Sequence, residues 1–152
     1  MFNQYVSLDE LPRWDYNYYE LAHFIAARWS KDPRRKVGAV LVGTDRRDVS
    51  LGVNGFPPGW VDGYLADRDF KNRWVLHAEQ NAVHRARFSL ALATAYITCP
   101  PCTQCAAILE SVGVQQVICP TLDPDSSWYE QHKEVLDSNM HLVLVNGSPF
   151  SV

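Results

Sequence analysis

Two short stretches, His77-Ala78-Glu79 and Pro101-Cys102-Thr103-Gln104-Cys105, stand far apart in the chain yet read as parts of one metal site. An imidazole and two thiolates suit zinc, and a single ion gripped by His77, Cys102 and Cys105 obliges the two stretches to meet in the fold. Three protein ligands leave a fourth position open, where a water becomes a nucleophile. Cys102 and Cys105 are three apart at a helix start, so both sulfurs fall on one side of its first turn. Pro100 and Pro101 favour a sharp entry into that helix, whose N-terminus stabilises thiolates. His77 and Glu79 are two apart, and on a regular helix such residues diverge. Both address one ion only if His77 sits at the very beginning of its helix. Glu79 then remains unligated, as the carboxylate that takes a proton from the water and returns it to the substrate.

Cys99 also lies three before Cys102, but the two prolines separate it from the helical turn, and it reads as a buried strand-end residue near the site. A closed site needs a fourth protein ligand; Cys99, Cys119, His84 and His132 are available, and none has a convincing spacing. Cysteines bunched in this way suit a metal better than a disulfide framework, which points to a reducing compartment and a cytoplasmic protein. A formal charge of −3 over 152 residues disfavours a long nucleic-acid footprint, so no nucleic-acid partner is expected. It leaves room for a small phosphorylated substrate in a local basic pocket. No apolar run of about 18 residues occurs, so no membrane span is expected. Met1-Phe2-Asn3-Gln4 does not open a secretory leader.

Periodicity divides the chain into elements of one α/β domain spanning 1–152. Leu21, Phe24, Ile25 and Trp29 predict a helix over 16–29, ended by Ser30-Lys31-Asp32-Pro33. Strands over 37–42 and 49–53 form a hairpin across Thr44–Asp48. A long connection to Trp74 follows, of a length that is usually functional. Helices are expected over 77–88, over 102–112 with Gly113 as stop, and from a Ser127/Glu130 capping box to Asp137. Strands are expected over 95–99, 114–119 and 141–145, giving a mixed five-stranded sheet with a mostly parallel second half.

At these residues the chain resembles the zinc-dependent cytidine/deoxycytidylate deaminase superfamily, which carries a His-x-Glu and Pro-Cys-x-x-Cys signature. Ser30-Lys31-Asp32-Pro33 with Val37-Gly38-Ala39, Gly52-Val53-Asn54-Gly55-Phe56-Pro57-Pro58-Gly59 and His77-Ala78-Glu79-Gln80-Asn81-Ala82 look like the deoxycytidylate (dCMP) deaminase branch. The resemblance implies a three-layer α/β/α sandwich, a homo-oligomer, often a hexamer, and hydrolysis of dCMP to dUMP and ammonia. By matching position it implies zinc on His77, Cys102 and Cys105, with Glu79 as proton shuttle. It also has Asn54 holding the nucleoside and the Ala78 amide contacting the pyrimidine. The branch commonly has a tyrosine before Asn-Gly, where this chain has Val53. Acidic residues tied to dCTP and dTTP control in regulated members reduce here to Asp62. Related substrates (dCTP, 5-substituted dCMP, cytidine), a polynucleotide deaminase and a non-catalytic zinc module are the competing readings.

Lys31, Arg34, Arg35 and Lys36 form the densest basic run. It reads equally as a solvated helix end or as a clamp for a 5′-phosphate, with Ser30 and Lys31 placed nearest the site by family analogy. Asn54 in Asn-Gly is a turn former as well as a candidate substrate contact. Trp60, Tyr64, Phe70 and Trp74 read as packing, as a subunit contact or as a lid over the base. His23, His84, His132 and His141 read as residues without catalytic duty.

Overall fold

Along the central strands successive side chains face opposite layers, as a period of two requires. In the computed structural model, which describes residues 3–150, Ala39 and Leu41 of β2 (Gly38–Val42) point into one core and Val40 and Val42 into another. Residues 1–2 and 151–152, the ends of the expected 1–152 domain, lie outside the described residues, as do the first two positions of the leader reading.

The hairpin partner of β2 is β3 (Val49–Val53), and β4 (Thr94–Ile97) runs antiparallel to β2 on its other side. The remaining strands, β5 (Gln116–Pro120), β6 (Leu142–Asn146) and β1 (Gln4–Ser7), extend the sheet in parallel, in the order β1-β6-β5-β4-β2-β3. One face packs under α1 (Arg13–Trp29) through Tyr19, Ala22 and Ile25. The other packs under α3 (Ala78–Arg85), α4 (Thr103–Ser111) and α5 (Tyr129–Leu136) through Ala82, Leu109 and Val135. Each fully buried large side chain contributes about 1.5–3 kcal/mol of transfer free energy, so two apolar faces hold three layers together. No helix among the described residues is long and apolar enough to cross a membrane.

The sheet has six strands where five are expected. The added β1 is a short edge strand with exposed Gln4 and Tyr5, so its sequence carries no inward/outward pattern and it depends on β6 for its form. The Ser127/Glu130 capping box does not form. Ser126 accepts from the Trp128 amide at 3.1 Å through Oγ, and its carbonyl accepts from the Tyr129 amide at 3.1 Å; this moves the turn back one residue and starts α5 at Tyr129. The long connection is partly helical, with a 3-10 turn over Asp62–Ala66 and then α2 (Arg68–Trp74), whose N-cap Asp67 accepts from the Phe70 amide at 3.1 Å. Gly113 ends α4 at φ +91°, a conformation that disfavours side chains.

Two backbone features place α3. A Cβ on Gly52 would come within 2.3 Å of the Ala78 carbonyl oxygen and 2.5 Å of the Ala82 nitrogen, so the helix lies directly on the β3 backbone. Ser50 Oγ secures it by donating to the Ala82 carbonyl at 2.6 Å. The connection is closed at its ends by an antiparallel bridge: Gly55 N donates to Leu76 O at 3.0 Å and Leu76 N to Gly55 O at 2.8 Å. The bridge sets Asn54 and His77, the neighbours of the paired residues, at one end of the sheet.

Candidate active site

His77 is the N-cap of α3, with extended backbone (φ −74°, ψ 159°), and its amide donates to Gln80 Oε1 at 2.7 Å. Cys102 is the N-cap of α4 in the same conformation (φ −75°, ψ 170°), and Cys105 lies in that helix's first turn. Two helix N-termini, each favouring negative charge, therefore meet at one corner. His77 Nδ1 stands 3.3 Å from Cys105 Sγ and 3.6 Å from Cys102 Sγ, and the three donor atoms lie within 4.8 Å of one another. Ordinary Zn–N and Zn–S bond lengths in a tetrahedral site separate such atoms by about 3.6 Å, so the two imidazole–sulfur distances match a zinc site. Cys99 is not part of this group, and no fourth donor joins it among the described residues.

Glu79, in the first turn of α3, is 4% exposed and lines the same cavity. Burial pushes its carboxyl above the ordinary carboxylate range, against the pull of its own backbone amide and of His77. A carboxyl raised toward neutrality is suited to both accepting and returning a proton. Hydrogen bonding from the Cys105 thiol, aided by His77, brings Cys102 down to about 4 despite burial. Cys105, hydrogen-bonded to Cys102 and buried, is pushed up, and binding a metal ion favours the deprotonated form of such a thiol. The hydrogen bond with Cys102 in turn raises His77.

The cavity beside this corner has a volume of about 280 Å³, with Val37, Val75 and Trp128 among its apolar walls. The Trp128 ring meets the His77 imidazole edge-on at 6.0 Å. Ala78 is fully buried and lines the cavity, and its amide lies in the first helical turn, where N–H groups have no intrahelical acceptor.

Asn54 also lines the cavity, 9% exposed, and its amide makes three short hydrogen bonds and one long one. Oδ1 accepts from Ser30 Oγ at 2.8 Å and from the Val37 amide at 2.9 Å. Nδ2 donates to the Arg35 carbonyl at 2.7 Å and reaches Asp32 Oδ2 at a long 3.5 Å. Ser30 is buried behind Asn54 and does not line the cavity. Lys31 does not line it either: its side chain is 70% exposed and pairs with Asp62 at 2.8 Å.

Sequence reasoning names Arg35 only as one of a basic run and His132 only as a spare donor without catalytic duty, and it passes over Trp128, Lys71 and Asn72. Arg35 is the member of the basic run that lines the wall, and Trp128, Lys71, Asn72 and His132 have no motif to mark them. Burial, and then Arg35, push His132 toward its neutral form, while burial pushes the Cys99 thiol up against the pull of Arg35. Trp60, Tyr64, Phe70 and Trp74 stack largely on one another and on Phe56, outside the cavity lining.

A layered α/β scaffold presenting one imidazole, two thiols and a free buried carboxylate at paired helix N-termini defines a zinc-dependent hydrolytic enzyme of the deaminase type. Residues 12–121 match the cytidine and deoxycytidylate deaminase zinc-binding region, and the chain belongs to that family. It is 36% identical to an uncharacterized deaminase of Aliivibrio fischeri, over 80% of this chain and 83% of the relative. It is 33% identical to mouse deoxycytidylate deaminase, over 72% of this chain and 66% of the relative. Its fold matches the dCMP deaminase of cyanophage S-TIM5 in complex with dCMP and dUMP, at a TM-score of 0.67 and 23% identity, over 90% of this chain and 98% of the other.

Proposed function

We propose that this protein hydrolyses dCMP to dUMP, with water supplying the new oxygen and ammonia leaving. The observation that carries the reading is Glu79, buried and unligated beside three convergent donors at the floor of an open cavity. A structural zinc site has no use for such a carboxylate. The relatives named deoxycytidylate deaminase support the choice of nucleotide.

His77, Cys102 and Cys105 hold the zinc, which when bound acts as a Lewis acid that makes water nucleophilic near neutral pH. Glu79 takes the proton of the attacking water, carries it to the ring nitrogen and delivers a proton to the departing amine. The Ala78 N–H binds the pyrimidine, an orphan donor finding its acceptor in the substrate. Asn54 chiefly ties the loop over 30–37 to β3, and its long contact to Asp32 is the donor free to turn toward a sugar hydroxyl. Ser30 acts through Asn54 by fixing its carbonyl oxygen. Trp128, Val37 and Val75 exclude bulk water from the reacting face.

A homo-oligomer, with a hexamer as the family's usual form, fits the exposed Trp14, Trp29, Tyr64 and Trp74, and sedimentation of the zinc-loaded protein measures it. Assays with added dCTP and dTTP test feedback, for which the one acidic residue left in the relevant stretch, Asp62, is engaged by Lys31. The decisive test is ammonia release from dCMP by metal-replete protein and its loss in Glu79→Ala with zinc retained. No turnover of dCMP by the metal-replete wild type would sink the proposal.

A further inference from the structure

Arg35 and Lys71 are the lysine and arginine side chains lining the cavity, and they differ in how their charge is met. Lys71 Nζ lies 3.0 Å from Asp32 Oδ2, with side chains 12% and 2% exposed, so its charge is cancelled inside the protein. The guanidinium of Arg35 has no carboxylate at ion-pair distance among the described residues. Instead its Nη2 donates to Cys99 Sγ at 2.7 Å and its Cζ stands 5.9 Å from the centre of the Trp128 ring. A thiol and an indole orient a guanidinium without neutralising it. The cavity wall therefore presents one oriented, uncompensated cation. Trp128 touches both Arg35 and His77, so this cation stands about one side chain away from the zinc-ligand corner.

We propose that Arg35, positioned by Cys99 and Trp128, is the residue that makes this protein select a phosphorylated substrate over the bare nucleoside, while Lys71 serves the wall's architecture. The inference rests on the deaminase reading above and deepens it. A planar guanidinium matches two phosphate oxygens at once, which gives it a geometric preference for a phosphate over a sugar hydroxyl. Of the neighbouring cations, Lys31 pairs with Asp62 and Lys36 donates to the Ser30 carbonyl, and neither they nor the exposed Arg34 line the cavity. Cys99 is thus a positioning residue, holding the guanidinium through Nη2.

The test compares kcat/KM for dCMP and for deoxycytidine in zinc-loaded wild type, Arg35→Gln and Lys71→Met. Arg35→Gln is expected to cut the preference for dCMP about 10- to 100-fold, the loss of charge-assisted hydrogen bonds, mainly through KM. Deoxycytidine turnover should change little. Lys71→Met should lower both substrates together and leave the ratio intact. Cys99→Ala should weaken the preference in the same direction, and Cys99→Ser should restore it; a purely structural role would depress both substrates equally. A second readout needs no variant. Phenylglyoxal labelling of the wild type, mapped by mass spectrometry, should find Arg35 protected by dUMP and unprotected by deoxyuridine. A ratio unchanged in Arg35→Gln, a loss that moves to Lys71→Met, or equal labelling with and without dUMP would overturn the inference. Failure of the wild type to turn over either substrate would instead overturn the deaminase reading, and the labelling result would still decide on Arg35.

Discussion

The zinc-ligand corner and the outer wall of the cavity lie side by side, yet they are built by different means. The corner comes from two helix N-termini in which ligand and neighbour are a few residues apart, so local helix geometry does most of the aiming. The wall is assembled from residues brought together over long chain separations: Asp32 with Lys71, Arg35 with Cys99 and Trp128. Chemistry thus rests on two locally ordered helix starts that the fold brings together, and selectivity on tertiary order throughout, and damage to one should leave a distinct signature from damage to the other.

The largest effect should come from the corner. Replacing Cys105 with Ala, or stripping the protein with a chelator, should abolish ammonia release, and metal analysis of the variant should show zinc lost with it. Glu79→Ala should keep its zinc and lose about 10²–10⁴-fold in kcat, read by steady-state ammonia release. Retained activity in that variant would erase the distinction between ligand and proton carrier.

The wall should respond through stability. Asp32 is 2% exposed, and although burial opposes its charge, the amides of Arg34 and Arg35 and the ammonium of Lys71 hold its carboxyl below the usual range. Its folded pKa is depressed, so its contribution is present above the unfolded value and is lost as pH falls through the folded one. Asp32→Asn should cost about 2 kcal/mol at pH 7, and urea unfolding should show that difference shrinking at acid pH. Gly52→Ala joins the two regions, since the added methyl must push α3 off β3; about 1–3 kcal/mol of overpacking is expected, with dCMP turnover falling alongside. The smallest effect belongs to Lys31→Ala. Its ion pair with Asp62 joins side chains 70% and 52% exposed, and urea midpoints should barely move.

The same division explains what could be read from the chain. His77, Glu79, Cys102 and Cys105 are legible because their spacing and their position at helix starts are local properties. The layered fold and five of its strands follow from apolar periodicity, whereas β1 escapes because half its residues are exposed and its partner is at the far end of the chain. The basic run announces a cluster of charge, but which member turns inward depends on the loop after α1. Asp32 caps that loop by accepting from the amides of Arg34 and Arg35 at 2.9 and 3.1 Å, and Arg35 rather than Lys31 lines the cavity. Trp128 belongs to no pattern at all; it matters because its place just before α5 sets its ring beside both His77 and Arg35.

The Gly55–Leu76 bridge has an evolutionary corollary. A peptide excursion fastened at its neck by main-chain bonds keeps its attachment whatever side chains it carries, although Lys71, Asn72 and Val75 within it line the cavity. Natural selection, or a protein engineer, is free to vary the outer part of that excursion, and so retune what the enzyme assembles with, provided the three cavity positions are kept.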